Sequence, residues 1–251
     1  MNVSDRVKEL IHILPGTHHF YHFEGHYAFT FLPERKETDL PWVWFAPTLE
    51  RKHPWKLNAW MFRRFLEAKI AVAGVDVGES YGNPKGRNIF TRFYQKVVTE
   101  YELSSQVALL AQSRGGLMHY NWAAEHPGSV SCVAGVFPVC DINSYPGINK
   151  ASTAYGKDAI EFASDLRNHN PIDRLKPLAE KAVPIFHIHG DSDKGVSLQE
   201  NSAELSTRYE QLGGTMNLLI IPGGGHDETD VFFKNHALID FILENTKDQI
   251  D

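Results

Sequence analysis

The sequence contains little cysteine and no long apolar run. Only two cysteines occur among its 251 residues, Cys132 and Cys140, and they flank one apolar segment. If that segment is a strand, the eight residue steps from Cys132 to Cys140 span about 26 Å, which is far beyond the reach of a disulfide. We therefore expect free thiols, as in a reducing compartment. No apolar run approaches the roughly 18 residues that a membrane-spanning helix needs.

Targeting, nucleic-acid-binding and cofactor motifs are also missing. Residues 1–16 carry charges at Asp5, Arg6, Lys8 and Glu9, so we predict no signal peptide and a cytoplasmic protein without a membrane partner. The net charge of -6, with no cluster of Lys and Arg, argues against a nucleic-acid partner. The sequence has neither a G-x-x-x-x-G-K-[ST] run nor an H-E-x-x-H motif, so we expect no nucleotide or metal cofactor.

Strand-like and helix-like segments alternate along most of the chain. Two aromatic segments at 18–25 and 26–34 predict an antiparallel hairpin. Further strands are predicted at 41–47, 70–76, 106–112, 129–139, 183–190 and 215–222. Helices are predicted at 56–69, 88–103, 198–212 and 231–245, and directly after Ser113. This pattern predicts an α/β fold, with a mostly parallel twisted sheet and helices on both of its faces.

The organisation predicted for the chain is a single domain over residues 1–251. No linker, internal repeat or second composition regime interrupts it. The one break in the rhythm is a polar, poorly periodic stretch at 141–183, which we interpret as a lid or insertion with short helices.

Three chemically complementary residues each follow a predicted strand: Ser113, Asp193 and His226. In parallel sheets the ligand crevice lies beyond the carboxyl ends of the strands, so these residues should meet there. A serine hydroxyl becomes a useful nucleophile when an imidazole removes its proton and a carboxylate orients that imidazole. Each motif alone is weak evidence, and their joint appearance in this order is much stronger. Asp141, after another strand, is the alternative acid.

Three segments carry a resemblance to a known superfamily: AQSRGG, VPIFHIHGDSDKGVSLQENSAEL and LLIIPGGGHDE. With the order serine, acid, histidine, they resemble the α/β-hydrolase superfamily. The chain is most similar to the branch that contains prolyl-oligopeptidase-like and dienelactone-hydrolase-like serine esterases. The resemblance covers most of the chain from position 41 onward and implies the α/β-hydrolase fold with a leading antiparallel hairpin.

The resemblance also selects the acid and shows one departure. In this branch the acid is the second carboxylate of a G-x-x-D-x-x-V pattern, which Gly190, Asp193 and Val196 match, so we choose Asp193 over Asp191. The serine motif departs from G-x-S-x-G at its first position, where Ala111 stands. Alanine is small enough for the sharp turn to close.

Two backbone N–H groups are needed to stabilise the oxyanion. The first is predicted at Arg114, at the start of the helix after the serine. The second should come from the loop after the strand at 41–47. Pro47 has no N–H, so we predict Thr48, with Leu49 as the other choice.

The Arg114 side chain has two possible roles. It forms a salt bridge with a nearby carboxylate such as Glu79, or it recognises an anionic acyl group, since a guanidinium suits carboxylates. The loop at 74–84 should line the crevice rim, with Tyr81 as a predicted substrate contact. Leu49 is the other predicted contact.

The histidines outside the predicted triad call for structural explanations. Of 13 histidines, His18, His19, His22 and His26 lie in the hairpin. A metal site would need convergent geometry, and we predict a solvated aromatic hairpin instead. His187 and His189 alternate on one strand, and we expect them to be core groups or groups that support the site.

The leading functional hypothesis is a serine hydrolase that cleaves a small-molecule carboxylic ester through an acyl-enzyme. An amidase, a peptidase or a thioesterase with the same triad is the alternative within enzymes. A non-catalytic binding module on a hydrolase scaffold is the alternative from another class, because a fold alone does not fix function. The sequence makes no prediction about oligomeric state.

Overall fold

The computed structural model describes residues 10, 12–34, 38–49, 54 and 56–247 of the chain. An eight-stranded sheet forms the centre of this part. The strands are β1 (Thr17–Phe23), β2 (His26–Leu32), β3 (Trp42–Ala46), β4 (Ala71–Val75), β5 (Val107–Gln112), β6 (Val130–Val136), β7 (Ile185–Gly190) and β8 (Met216–Ile221). Their order is β1-β2-β4-β3-β5-β6-β7-β8. β2 is antiparallel to both β1 and β4, and the other neighbours are parallel. The predicted mostly parallel sheet with an amino-terminal antiparallel hairpin is confirmed.

Helices pack against both faces of this sheet. They are α1 (Ala59–Glu67), α2 (Pro84–Glu100), α3 (Gly115–Glu125), α4 (Ile148–Tyr155), α5 (Ala159–Asp165), α6 (Lys176–Glu180), α7 (Glu204–Gln211), α8 (Asp230–Phe233) and α9 (His236–Lys247). A π-helix, Gln199–Ala203, leads directly into α7. One buried cluster joins the sheet to α2, α3 and α7, and a second joins the opposite face to α1 and α9.

β3 shows how the sequence pattern produces this double burial. Trp42 and Trp44 belong to the first cluster, whereas Val43 and Phe45 belong to the second, because side chains alternate along a strand. All four are at most 1% exposed. The Trp44 ring packs edge-on against Trp122 of α3, with ring centres 5.0 Å apart. Each such side chain contributes about 1.5–3 kcal/mol by leaving water, so β3 anchors both layers.

Two predicted boundaries move for local reasons. The strand predicted at 129–139 ends at Val136, because Phe137 adopts φ +35° and Pro138 follows it. The helix predicted at 231–245 is two helices, α8 and α9. Between them, Asn235 accepts a hydrogen bond from the N–H of Leu238 at 3.1 Å and so begins a new helix.

A third boundary lies before α2. The helix predicted at 88–103 starts at Pro84, because the Asn83 side chain accepts a hydrogen bond from the N–H of Gly86 at 2.7 Å. Proline suits the first helical position, where its missing N–H has no intrahelical partner to lose. The loop predicted at 74–84 is therefore held tightly at its end.

The stretch at 141–183 folds as short helices with a small core of its own. Ile142, Ala151 and Phe162 pack together there, and the same cluster includes Leu117 of α3 and Val196 of the loop after β7. The insertion therefore packs against the amino-terminal end of α3 and the loop after β7.

The structure also bears on the cysteines, on membrane-spanning helices and on metal-binding clusters. Cys132 and Cys140 are buried free thiols, and burial raises the pKa of Cys132 to about 12. Among the helices of the described residues, none is long and apolar enough to cross a membrane. The described residues also contain no group of three or more His, Cys, Asp or Glu side chains placed to hold a metal. Residues 1–16, where no signal peptide is predicted, lie largely outside the described part.

Candidate active site

Ser113 occupies a sharp turn between β5 and α3. Its φ is +50°, a region that residues other than glycine rarely adopt. Three backbone hydrogen bonds hold it there. Its N–H donates to the carbonyl of Val136 at 3.0 Å, and its own carbonyl accepts from Gly116 at 3.0 Å and Val139 at 2.8 Å. The turn therefore presents the Ser113 side chain beyond the carboxyl end of the sheet.

The two glycines after this serine allow the helix to approach the strands. A Cβ atom on Gly115 would lie 2.1 Å from the carbonyl oxygen of Ala46, at the end of β3. A Cβ atom on Gly116 would lie 2.3 Å from the carbonyl oxygen of Val139, in the segment after β6. Any side chain at either position would push the start of α3 away from the sheet.

The structure brings the three predicted triad residues together. The Oγ atom of Ser113 lies 2.9 Å from Nε2 of His226, and Nδ1 of His226 lies 2.7 Å from Oδ2 of Asp193. The imidazole is partly exposed, whereas the Asp193 side chain is wholly buried. This arrangement can pass the hydroxyl proton to the imidazole and place the resulting positive charge beside a carboxylate.

Backbone donors stabilise Asp193 in its buried position. Its Oδ1 atom accepts hydrogen bonds from the N–H groups of Gly195 and Val196, both at 2.8 Å. A buried charge is costly unless it is paired and hydrogen-bonded, and these two donors together with His226 satisfy the carboxylate. A further imidazole lies nearby, since Nε2 of His189 is 3.4 Å from Oδ2.

The other carboxylates considered as acids make different contacts. Asp191 accepts a hydrogen bond from the N–H of Gly223 at 2.8 Å and so ties two loops together. Asp141 accepts one from Nδ2 of Asn170 at 2.9 Å within the insertion. Of the three carboxylates, the structure places Asp193 against the imidazole.

A pocket of about 190 Å³ opens over the triad. It is lined by Pro47, Gln112, Ser113, Arg114, Phe137, His226 and Glu228. The Phe137 ring packs on the imidazole of His226, with ring centres 4.3 Å apart. An apolar ring on this side restricts the motion of the imidazole and shields it from water.

The predicted oxyanion donors occupy different surroundings. Arg114 immediately precedes α3, where the first N–H groups have no intrahelical partner, and it lines the pocket. Thr48 is buried and its hydroxyl donates to the carbonyl of Phe45 at 3.2 Å. Of the residues in this loop, Pro47 lines the pocket, whereas Thr48 and Leu49 are not among the described residues that line it. The second donor therefore stays a prediction.

The Arg114 side chain forms an ion pair with Glu79. Nε of Arg114 lies 3.2 Å from Oε2 of Glu79, without the alignment of a hydrogen bond. This is the first of the two roles considered for the guanidinium. It also ties the start of α3 to the loop after β4.

Tyr81 lies under the insertion and outside the lining of the pocket. It is only 3% exposed and packs with Leu117 and Val196. The ammonium group of Lys150 lies 5.8 Å from the centre of its ring. A direct contact between Tyr81 and substrate stays a prediction.

Sequence reasoning missed three residues of the pocket wall, Gln112, Phe137 and Glu228. Nε2 of Gln112 donates to Oε1 of Glu228 at 3.3 Å, and its Oε1 accepts from Nδ2 of Asn58 at 3.3 Å. Gln112 and Glu228 are within two positions of Ser113 and His226, so their closeness in sequence to the predicted triad could have indicated that they line the pocket. No such sequence feature indicated Phe137, since its position depends on where β6 ends.

Comparison with known proteins identifies the family. Residues 91–249 match the model of the prolyl oligopeptidase family, and this segment contains all three triad residues. The chain belongs to the prolyl oligopeptidase family. This is the branch that the resemblance of its sequence motifs implied.

Solved structures with the same fold include peptidases and an esterase. Dipeptidyl peptidase 4 of Porphyromonas gingivalis is 14% identical, with a TM-score of 0.71 over 92% of this chain and 36% of that one. A truncated carbohydrate esterase from gut microbiota is 17% identical, with a TM-score of 0.69 over 92% of this chain and 97% of that one. A puromycin hydrolase is 16% identical, with a TM-score of 0.67 over 92% and 39%.

These likenesses confirm the predicted α/β-hydrolase fold. The chain spans only about a third of the length of the dipeptidyl peptidase and nearly the whole length of the truncated esterase. No curated protein matches the sequence.

Proposed function

We propose that the protein cleaves carboxylic esters through an acyl-enzyme intermediate, with Ser113 as nucleophile, His226 as base and Asp193 as the residue that orients the imidazole. The contact that carries this proposal is the 2.9 Å separation between Oγ of Ser113 and Nε2 of His226. At that distance the hydroxyl can transfer its proton as it attacks a carbonyl carbon.

The proposed reaction follows from the positions of these groups. As Ser113 attacks, its proton moves to Nε2 of His226, and Asp193 stabilises the imidazolium through Nδ1. The oxyanion of the tetrahedral intermediate accepts a hydrogen bond from the N–H of Arg114 and from a second donor in the loop after β3. His226 then protonates the departing alcohol. Water, activated by the same imidazole, hydrolyses the acyl-enzyme and restores Ser113.

The shape of the pocket and one structural likeness favour esters of small size. The pocket over the triad measures about 190 Å³, and its lining includes the apolar Phe137 and Pro47 and the polar Gln112 and Glu228. The truncated carbohydrate esterase shares 97% of its length with this chain. A peptidase or amidase is the second candidate, because the family includes peptidases and the dipeptidyl peptidase shares the fold. A thioesterase would use the same residues.

A fluorophosphonate probe and two matched substrate panels test the proposal. The probe should label Ser113 in the wild type and fail to label Ser113→Ala. p-Nitrophenyl esters of rising acyl length should be turned over, and aminoacyl and dipeptidyl p-nitroanilides should react more slowly. Ser192→Ala is the control, since Ser192 is an exposed serine in the acid loop. Labelling of another serine would disprove the assignment, and faster cleavage of the anilides would favour the peptidase.

A further inference from the structure

Four buried polar side chains form a continuous hydrogen-bonded row behind the acid loop. The hydroxyl of Tyr120 lies 2.7 Å from Nε2 of His187, and Nδ1 of His187 lies 2.9 Å from Oγ of Ser202. The same Oγ lies 2.7 Å from Nδ1 of His189. All four residues are at most 1% exposed. The row therefore joins α3, β7 and the π-helix without contact with water.

Local structure explains why these groups meet. His187 and His189 are two positions apart on β7, so they project from the same face of the strand. The π-helix Gln199–Ala203 widens the backbone at this point and places the Ser202 hydroxyl between the two imidazoles. Such insertions in helices often occur at functional sites.

The far end of the row reaches the acid loop. Nε2 of His189 lies 2.9 Å from the carbonyl oxygen of Val196 and 3.4 Å from Oδ2 of Asp193. That Oδ2 atom is also the one bonded to Nδ1 of His226. Two imidazoles from different parts of the chain thus share one oxygen of the carboxylate.

The hydrogen-bonding capacities of these groups allow one orientation. The carbonyl of Val196 can only accept, so Nε2 of His189 carries the proton. Burial lowers the pKa of His189 and keeps the ring neutral, so its Nδ1 must accept from the hydroxyl of Ser202. Ser202 then accepts from Nδ1–H of His187, and Nε2 of His187 accepts from Tyr120. Burial lowers the pKa of His187 to about 3, so this ring is also neutral.

The geometry points to His189 as a positioning residue for the acid of the triad: its Nε2–H, fixed in direction by Ser202, holds the Val196 loop and shares Oδ2 of Asp193 with His226. This inference rests on the function proposed above and assigns no proton transfer to His189. The row therefore supplies a rigid N–H near the same carboxylate oxygen that His226 contacts.

The expected effect on the triad has a definite sign. The titratable groups around His189 are Asp193 in the acid loop, His226 from the loop after β8, and, through Ser202, His187 of β7 and Tyr120 of α3. The N–H of His189, with its nitrogen 3.4 Å from Oδ2, offsets part of the carboxylate charge that faces His226. Without that N–H, the carboxylate should stabilise the imidazolium of His226 more strongly.

His189→Leu is the variant that removes the donor. The acid limb of the pH profile of kcat/KM, which reports protonation of the free enzyme's base, should move upward by about half a pH unit. The loss of the anchor on Val196 should also lower kcat/KM by about 10- to 100-fold, as small displacements of catalytic groups do. His189→Gln should restore the midpoint, because an amide N–H can take the place of Nε2–H.

The matched control is His187→Leu, at a position as deeply buried and on the same strand. It breaks the row but leaves the His189 donor beside Asp193, so its acid limb should stay at the wild-type midpoint. An unchanged or lowered midpoint in His189→Leu would overturn the inference. Equal upward shifts in both leucine variants would also overturn it, since general repacking would then explain them.

A spectroscopic readout separates this inference from the proposed function. In the Ser113→Ala protein, the pKa of His226 can be followed by NMR with labelled histidine, and the signal assigned with His226→Gln. It should rise by a similar amount when His189→Leu is added. Nitrogen-15 shifts should show His187 protonated at Nδ1 and His189 at Nε2, and the reverse pattern would contradict the row's orientation. Failure of all ester turnover in the wild type would reject the proposed function and leave this titration to test His189.

Discussion

Gly115 and Ala46 approach each other so closely that a Cβ atom on residue 115 would lie 2.1 Å from the carbonyl oxygen of Ala46. The contact pins the first residue of α3 to the last residue of β3. Arg114 and Pro47, which flank this contact, both line the pocket over the triad. One backbone contact therefore sets the distance between the two loops that should supply the oxyanion donors.

Gly115→Ala tests the importance of this contact. Alanine favours helix over glycine by about 1 kcal/mol, but the overlap with backbone atoms should cost about 1–3 kcal/mol in the free energy of unfolding. The displaced start of α3 should move the Arg114 N–H and lower kcat by about 100-fold. Urea unfolding and ester turnover measure the two effects.

The control for this change is Gly128→Ala. A Cβ atom there would meet nothing within 4 Å, so stability should change by less than about 1 kcal/mol and kcat should not change. Similar effects of both substitutions would show that the approach of Gly115 to Ala46 does not govern the site.

Asp193→Asn should lower kcat on esters by about 10⁴-fold, because the amide no longer stabilises the imidazolium and favours the wrong tautomer of His226. Asp141→Asn should have little effect, since Asp141 accepts its hydrogen bonds within the insertion and an amide oxygen can accept them too. Steady-state kinetics on one activated ester compare the two variants. A larger loss in Asp141→Asn would show that the acid assignment is wrong.

Sequence reasoning worked where a local pattern reflects a general physical rule. Buried strands followed by helices predict a parallel sheet, and polar residues at strand ends predict where a crevice forms. Ser113, Asp193 and His226 were predicted to meet in this way, and the structure brings their side chains together although 113 positions separate the first from the last. The two glycines after Ser113 likewise indicated a close approach of backbones, and Gly115 shows that approach.

Contacts that depend on an irregularity of the backbone could not be predicted from local patterns. The place of Phe137 beside His226 depends on a φ of +35° just after β6, and no residue type signals that angle. The row from Tyr120 to His189 depends on the π-helix, which has the same sequence pattern as an α-helix. The ion pair of Arg114 with Glu79, by contrast, was one of the two roles that the sequence suggested for this guanidinium.

Glu79→Gln should leave the guanidinium of Arg114 without its carboxylate partner beside the pocket. We expect kcat/KM to rise by about 3- to 10-fold for esters that carry a second carboxylate, relative to neutral esters of the same size. The ion pair is partly exposed, so the free energy of unfolding should change by at most about 1 kcal/mol. Kinetics on a half-ester and its methyl ester at fixed salt give the ratio.

The control for the charge effect is the double variant Glu79→Gln with Arg114→Met. It should remove the gain on the half-ester, because the unpaired cation is then absent. If the single variant changes both substrates equally, the Arg114 side chain has a structural role only.

His119 should make the protein less stable in acid. It is wholly buried between Trp44 and Phe90, neither ring nitrogen has a hydrogen-bond partner in the described part of the chain, and burial lowers its pKa to about 3. The unfolded chain binds a proton on this histidine near pH 6.5, whereas the folded protein does so only near pH 3. The contribution of neutral His119 to the free energy of unfolding is therefore complete above pH 6.5 and is lost as the pH falls toward 3.

His119→Leu should therefore reduce the slope of unfolding free energy against pH by up to about 1.4 kcal/mol per pH unit between about pH 6 and pH 4. At pH 7 it should stabilise the fold by about 1 kcal/mol or more, since leucine fills a similar volume and removes an unpaired buried N–H. Urea unfolding at several pH values measures both effects. His22→Gln, at an exposed position in β1, should leave the slope unchanged. An unaltered slope in His119→Leu would show that the folded protein does not hold this imidazole neutral, and a loss of stability at pH 7 would show that its N–H has a partner.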